Sequence, residues 1–150
     1  MPRVVAPALV VIALGGSGCA DRERALPTVC TEGGRAVAVA LRTAPGPVAL
    51  RDGTRLSTCV ERARADAEIQ SVGSIYTRVA DELALQARAS NVAALRLGYL
   101  IGAARRGAHR TSGIHEELVR RLEQAVGLGG PASYRRPSFN RGLAAGARTG

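Results

Sequence analysis

Apolar residues recur every three or four positions over most of the chain from Ser57 onward. This spacing is that of one face of an α-helix, whereas a half-buried strand alternates every two residues. Aromatic residues make up only 3% of the chain, which favours packed helices over an aromatic-rich β-sandwich. We therefore expect a mainly α fold built on a small three-helix arrangement, with a long helix over about 57–89, a buried helix over about 92–106 and a helix over about 113–126.

The expected helices also have breaks and faces that the sequence indicates. Gly73-Ser74 is the expected kink of the long helix, and Ser90-Asn91 is the expected turn and cap before the second. The second helix is apolar nearly all round, which is typical of a central helix. Its Gly98 and Gly102 would permit a neighbouring helix to approach closely. The residues that we expect in the core are Val60, Val72, Ile75, Val79, Leu83, Leu95, Tyr99, Leu118 and Leu122.

The segment of residues 35–51 allows two interpretations. Val37, Val39 and Leu41 alternate as in a strand, but alanines lie between them, so a buried helix fits as well. We favour a short helix followed by a short extended segment before the turn at Asp52-Gly53. The alternative is a minor hairpin that pairs residues 36–42 with residues 47–51.

The first 19 residues have the organisation of an export signal. Arg3 precedes an apolar run over Val4–Leu14, and small residues then lead to Cys19. Eleven apolar residues span only about 16 Å as a helix, about half of a hydrocarbon core. The sequence Gly15-Gly16-Ser17-Gly18-Cys19 resembles the lipobox of bacterial lipoproteins, with Gly16 where that family usually has Leu.

The resemblance implies cleavage just before Cys19, lipidation of the new N-terminal cysteine, and a location on the outer face of the cytoplasmic membrane or elsewhere in the cell envelope. Ordinary secretion, with cleavage after Ala20, is the alternative. Either event leaves Cys30 and Cys59, which exported proteins commonly join in a disulfide. Two buried free thiols or a metal site are the other uses of this pair, although the chain has no CxxC motif.

The remaining organisation follows from composition. We expect residues 1–19 as signal peptide, residues 20–29 as a polar tether, residues 30–127 as a single helical domain, and residues 128–150 as a disordered basic tail. All 21 basic residues are Arg, and residues 105–150 contain nine of them against three acids. Such a tail could contact anionic lipid or wall polymer. Its candidate contact residues are Arg135, Arg136, Arg141 and Arg148.

The sequence lacks the usual signatures of catalysis. The two histidines, His109 and His115, lack the spacing of a metal-ligand pair, and we expect His115 at the surface of the third helix's first turn. The chain contains no G-x-S-x-G elbow and no phosphate-binding glycine loop. We therefore expect no enzymatic activity, no metal and no cofactor.

The function that these observations favour is a small exported protein, anchored in the membrane through Cys19, that acts as a structural or interaction module. A module that binds a small ligand between its helices is the second hypothesis. The third is a cytosolic nucleic-acid binder, suggested by a net charge of +9. Glu116 and Glu117 disfavour it, because they would repel phosphate at the start of a recognition helix. The protein partner and the oligomeric state stay open.

Overall fold

The computed structural model describes residues 25–111, 113–127 and 136–150. These residues form an all-α fold of six helices, accompanied by short 3-10 turns at Thr28–Thr31 and Leu41–Thr43. The prediction of a mainly α fold is confirmed, but the helices are more numerous than the predicted three. They are α1 (Gly34–Ala40), α2 (Leu56–Arg62), α3 (Asp66–Ala87), α4 (Asn91–Ala108), α5 (Glu116–Gly127) and α6 (Arg136–Thr149).

The N-terminal segment contains the short helix that we favoured. Residues 36–40 lie in α1, so the alternative hairpin with residues 47–51 is wrong. A tight turn follows at Asp52-Gly53, where the Leu50 N–H donates to the Thr54 carbonyl oxygen at 2.8 Å. Gly53 has a φ of +87°, a left-handed conformation that a residue without Cβ adopts at little cost.

The predicted long helix over about 57–89 is wrong, because it is interrupted at residues 63–65. Ala63 and Ala65 have ψ values of 104° and 145°, which end α2 and precede α3. The Glu68 carboxylate accepts the Arg64 and Ala65 N–H groups at 3.0 and 3.1 Å and so satisfies donors at the start of α3. No Gly or Pro marks the break. The predicted kink site, Gly73-Ser74, lies inside the continuous helix α3.

Helix α4 is the centre of the fold, as its apolar circumference predicts. It begins at the expected cap, where the Ser90 hydroxyl accepts the Ala93 N–H at 3.2 Å. Helices α2, α3, α5 and α6 all pack against it. Twelve of its eighteen residues are buried, and Tyr99, Leu100 and Ile101 are among the largest buried side chains.

The hydrophobic core contains most of the predicted residues. Seven of the nine are buried, whereas Ile75 and Leu95 are only partly buried. Tyr76, which the prediction omitted, is fully buried, and its hydroxyl donates to the Leu56 carbonyl oxygen at 2.8 Å. Burial raises the pKa of Tyr76 far above its ordinary value, so this phenol stays protonated and keeps α3 attached to α2.

The C-terminal region differs most from expectation. Residues 136–149 form α6, which packs along α4 in the most extensive helix–helix contact of the described residues. The prediction of a disordered tail is therefore wrong for residues 136–150, and residues 128–135 of that tail lie outside the described residues. The single helical domain thus continues beyond residue 127.

Candidate functional site

A disulfide bond joins Cys30 to Cys59, as predicted, with their Cα atoms 5.4 Å apart. Both cysteines are buried, Cys30 in the first 3-10 turn and Cys59 in the middle of α2. The bond closes a separation of 29 residues and attaches the start of the domain to its helical core. Cys19, the third cysteine and the candidate lipidation residue, lies outside the described residues.

Glycines on α4 and α6 bring the two backbones into direct contact. A Cβ built on Gly98 would lie 2.1 Å from the Phe139 carbonyl oxygen, and one on Gly142 would lie 1.9 Å from the Leu95 carbonyl oxygen. Gly102 and Gly146 meet the opposite backbone at 2.2 and 2.1 Å in the same way. No side chain fits at these distances. The close approach expected at Gly98 and Gly102 is confirmed, and α6 supplies the matching Gly142 and Gly146.

A chain of buried hydrogen bonds holds the C-terminal end of α6. The Val48 N–H donates to the Tyr99 hydroxyl at 3.1 Å. The same Tyr99 hydroxyl oxygen lies 2.9 Å from the Thr149 hydroxyl oxygen. Because Thr149 donates to the Ala145 carbonyl oxygen, Tyr99 is the donor between the two hydroxyls. The Ser57 hydroxyl donates to the Gly150 carbonyl oxygen at 2.5 Å. These bonds connect α6 to the N-terminal segment and to α2.

Three of the four predicted basic contact residues fall on this ordered helix. Arg136, Arg141 and Arg148 are all exposed on α6, and Arg135 lies outside the described residues. Arg141 and Arg148 are seven positions apart and thus share one face of the helix. Arg106 of α4 lies at the end of that face, where its Nη1 donates to the Ala147 carbonyl oxygen at 3.1 Å and to that of Arg148. We call Arg106, Arg141 and Arg148 the arginine face.

The arginine face lacks neutralising partners within the described part of the chain. Neither Arg141 nor Arg148 forms an ion pair there, in contrast to Arg105, which pairs with Glu123 at 2.7 Å. The sequences of α4 and α6 contain six Arg and no acid, whereas those of α3 and α5 contain seven acids and three Arg. Charge is thus segregated between two pairs of helices.

A groove of about 750 Å³ runs between α3 and α5 on the acidic side of the fold. Its apolar residues include Ile69, Leu118 and Ile114, and the Ile114 side chain is 58% exposed. Arg78, Asp81, Glu117 and Arg121 stand at its rim. Arg120 and Arg121 hydrogen-bond to the Glu117 carboxylate and lower its pKa to about 2, so it is ionised at neutral pH.

His115 is buried, which corrects the expectation of a surface residue. It lies just before α5 with 1% of its surface exposed, and its Nε2 is 2.8 Å from the Ala63 carbonyl oxygen. The Nε2–H must donate, because a carbonyl oxygen only accepts. Burial, aided by the charge of Arg64, lowers the pKa of His115. The neutral ring thus attaches α5 to the break between α2 and α3. Its hydrogen bond satisfies a backbone carbonyl oxygen at this break, which contains no Gly or Pro.

The described residues contain no group of three or more His, Cys, Asp or Glu side chains placed to hold a metal ion. Among the helices of residues 25–111, 113–127 and 136–150, none combines the length and apolarity needed to cross a membrane.

Comparison of the chain with protein-family models, with curated proteins and with solved structures finds no match.

Sequence reasoning missed the folded state of α6 although a signal was present. Gly142, Gly146 and Gly150 repeat every four residues, the same period as Gly98 and Gly102. Two helices with small residues at this spacing can pack backbone against backbone. The pattern was masked by the high Gly, Arg and Ser content of residues 128–150, which is typical of disordered segments.

Proposed function

We propose that this chain is an exported protein, anchored in a bacterial membrane through a lipid on Cys19, that acts without catalysis as a structural or interaction module of the cell envelope. The export signal over residues 1–19 and its lipobox-like ending support this proposal. Secretion without an anchor, after cleavage behind Ala20, is the alternative location.

The observation that carries the proposal is the distribution of the three cysteines. Cys30 and Cys59 are bonded to each other, and the cysteine not used by this bond is Cys19, at the lipobox-like ending. Disulfides persist in oxidising compartments outside the cytosol. An odd number of cysteines is also what a lipoprotein with one structural disulfide requires.

The structural roles of the candidate acid–base groups favour binding over catalysis. His115 is buried and its Nε2–H donates to the Ala63 carbonyl oxygen. The Glu117 carboxylate accepts hydrogen bonds from Arg120 and Arg121. A general base must reach a substrate proton. The Nδ1 atom of His115 is buried and out of reach of solvent, and the Glu117 carboxylate, with a pKa of about 2, is a weak base. The exposed arginine face is instead suited to contact with an anionic surface.

The intact mass of the chain recovered from a bacterial membrane fraction tests the proposal. We expect a mass that matches residues 19–150 plus a lipid adduct, with Cys30 and Cys59 alkylated only after reduction. The Cys19→Ser variant is the matched control and should lose the adduct. A mass that matches a chain beginning at Asp21 would assign the protein to secretion without an anchor. An unprocessed 15.5 kDa chain with three alkylatable thiols would overturn export and favour the cytosolic nucleic-acid-binding hypothesis.

A second candidate function is binding of a small apolar or anionic ligand, and the groove between α3 and α5 favours it. The groove combines exposed Ile114 with Arg78 and Arg121 at its rim. A ligand that binds only the native state stabilises it by RT ln(1 + [L]/Kd), so the Tm rises with the logarithm of the ligand concentration once this exceeds the Kd. Thermal unfolding of the protein with a panel of short fatty acids tests this candidate. No concentration-dependent rise in Tm, or a rise that the Leu118→Ala variant retains in full, would argue against binding in this groove.

A further inference from the structure

The C-terminal end of α6 lies at the end of the molecule where the chain enters the domain. Cys30, five residues after the first described residue, is bonded to Cys59 with a Cα–Cα distance of 5.4 Å. Ser57, two residues before Cys59, donates its hydroxyl to the Gly150 carbonyl oxygen at 2.5 Å. The end of α6 and the start of the domain are therefore joined through α2.

The arginine face begins at this same end. Arg148 is the last basic residue of α6, and the Arg106 guanidinium donates to the Ala147 and Arg148 carbonyl oxygens. Arg141 lies seven residues earlier on the same side of the helix, about 10 Å away along its axis. The exposed residues between the two arginines include Ala144 and Ala147, which are too small to insert into a hydrocarbon layer. This surface is therefore suited to an electrostatic contact.

Charge segregation determines which kind of partner this surface fits. The sequences of α4 and α6 contain no Asp or Glu, whereas those of α3 and α5 contain seven. The side of the molecule that carries α6 therefore has a positive field, and the complementary surface is anionic.

The length of the tether identifies the anionic surface within reach. If Cys19 carries the lipid, five residues separate it from Ala25, and the six residue steps between the two span at most about 20 Å. The start of the domain, and with it the end of α6, then stays near the lipid headgroups. We propose that the arginine face docks onto anionic phospholipid headgroups of the membrane that holds the anchor. This docking rests on the proposed lipid anchor and adds a defined orientation of the domain to it.

Arginine footprinting of the full processed chain tests the docking. The protein is reconstituted in vesicles of phosphatidylcholine, with or without phosphatidylglycerol, and treated with phenylglyoxal before mass spectrometry. We expect Arg106, Arg141 and Arg148 to react several-fold more slowly in the vesicles that contain phosphatidylglycerol, and high salt to remove the difference. Exposed Arg78 and Arg88 on the α3 side should react equally in both vesicles.

Two charge-matched variants sharpen the test. In R141Q/R148Q, we expect Arg106 to lose its protection in anionic vesicles, because the remaining face binds too weakly. R78Q/R88Q removes the same charge from the other side and should keep Arg106 protected.

Equal reactivity of the arginine face in both kinds of vesicle, for a chain whose mass shows the lipid, would overturn the docking alone. A chain without lipid would overturn the proposed anchor and with it the docking. Protection by a soluble anionic wall polymer, without protection by phosphatidylglycerol, would assign the face to the polymer instead.

Discussion

The two helix pairs of this fold are assembled by different physical means. Helices α4 and α6 touch through backbone atoms at four glycines, and their sequences carry only positive charge. Helices α3 and α5 meet through side chains such as Leu118, carry mostly acids, and leave a groove of about 750 Å³ between them. The first pair is therefore intolerant of added atoms. Its α6 arginines, Arg136, Arg141 and Arg148, are exposed. The second pair leaves space between its helices, and several of its charged side chains form ion pairs with one another.

The largest expected effect comes from adding atoms between α4 and α6. In Gly142→Ala/Gly146→Ala, each new Cβ meets a carbonyl oxygen of α4 at 1.9 and 2.1 Å, respectively. The helices must separate, and we expect a loss of about 2–3 kcal/mol in unfolding free energy for each position, near the upper end for overpacking. Urea denaturation measures it.

Gly73→Ala is the matched control for this prediction. Gly73 lies in α3, and a Cβ there would be 3.8 Å from the nearest Leu118 methyl carbon, an ordinary contact. Alanine is the better helix former, so this variant should be stabilised by about 0.5–1 kcal/mol. Equal destabilisation of the two helix pairs by Gly→Ala would remove the contrast between them.

The disulfide is expected to contribute a comparable amount through the unfolded state. Cys30→Ser/Cys59→Ser removes a cross-link over 29 residues. The chain-entropy relation then gives a loss of about 3–4 kcal/mol in unfolding free energy. Because the bond joins the N-terminal segment to α2, a protease should cleave residues 25–55 of the variant earlier than it cleaves α4. Simultaneous cleavage of both regions would contradict this order.

A smaller effect is expected from Tyr99, whose hydroxyl connects Val48 to Thr149 of α6. Tyr99→Phe leaves the Val48 N–H without its acceptor and removes the donor to Thr149. Each unsatisfied buried group costs about 1–3 kcal/mol, so we expect a loss in that range by thermal or urea unfolding. Thr149→Val, which retains the Val48–Tyr99 bond, should cost less. A neutral Tyr99→Phe variant would contradict the buried relay.

The fold could be anticipated from the sequence where side-chain periodicity decides it. The apolar circumference of α4, the Ser90 cap and the Cys30–Cys59 pair are all local or compositional signals, and the structure has each of them. The break at Ala63–Ala65 could not be read in this way, because the apolar period continues through it. The break is stabilised by Glu68 of α3, which is close to it in sequence, and by His115, which is distant from it in the chain.

The candidate site was anticipated only as a set of arginines. Arg141 and Arg148 were identified from charge, but their placement on one face depends on α6 being helical. That in turn depends on Gly142 and Gly146 matching Gly98 and Gly102 across the chain. A composition rich in Gly and Arg indicates disorder when it is considered without its tertiary partner.

The smallest expected effect is a pH dependence located at the attachment of α5. Burial lowers the pKa of His115 in the native state, so the unfolded state binds more protons as the pH falls below about 6.5. Stability should therefore be full above that pH and decrease as the pH falls from the unfolded to the native pKa.

His115→Gln should remove this part of the decrease, as followed by the Tm between pH 7 and pH 5. Exposed His109 provides the matched control, and His109→Gln should leave the decrease in place. If the pH dependence instead followed His109, the buried role of His115 would be contradicted.

Amide hydrogen exchange of the intact protein tests most directly whether α6 belongs to the core. The account predicts that the amides of residues 142–150 exchange as slowly as those of residues 98–106, because backbone contact and the Tyr99–Thr149 bond tie the two helices together. Rapid exchange over residues 136–150, with α4 still protected, would contradict the glycine-packed pair and with it the ordered arginine face.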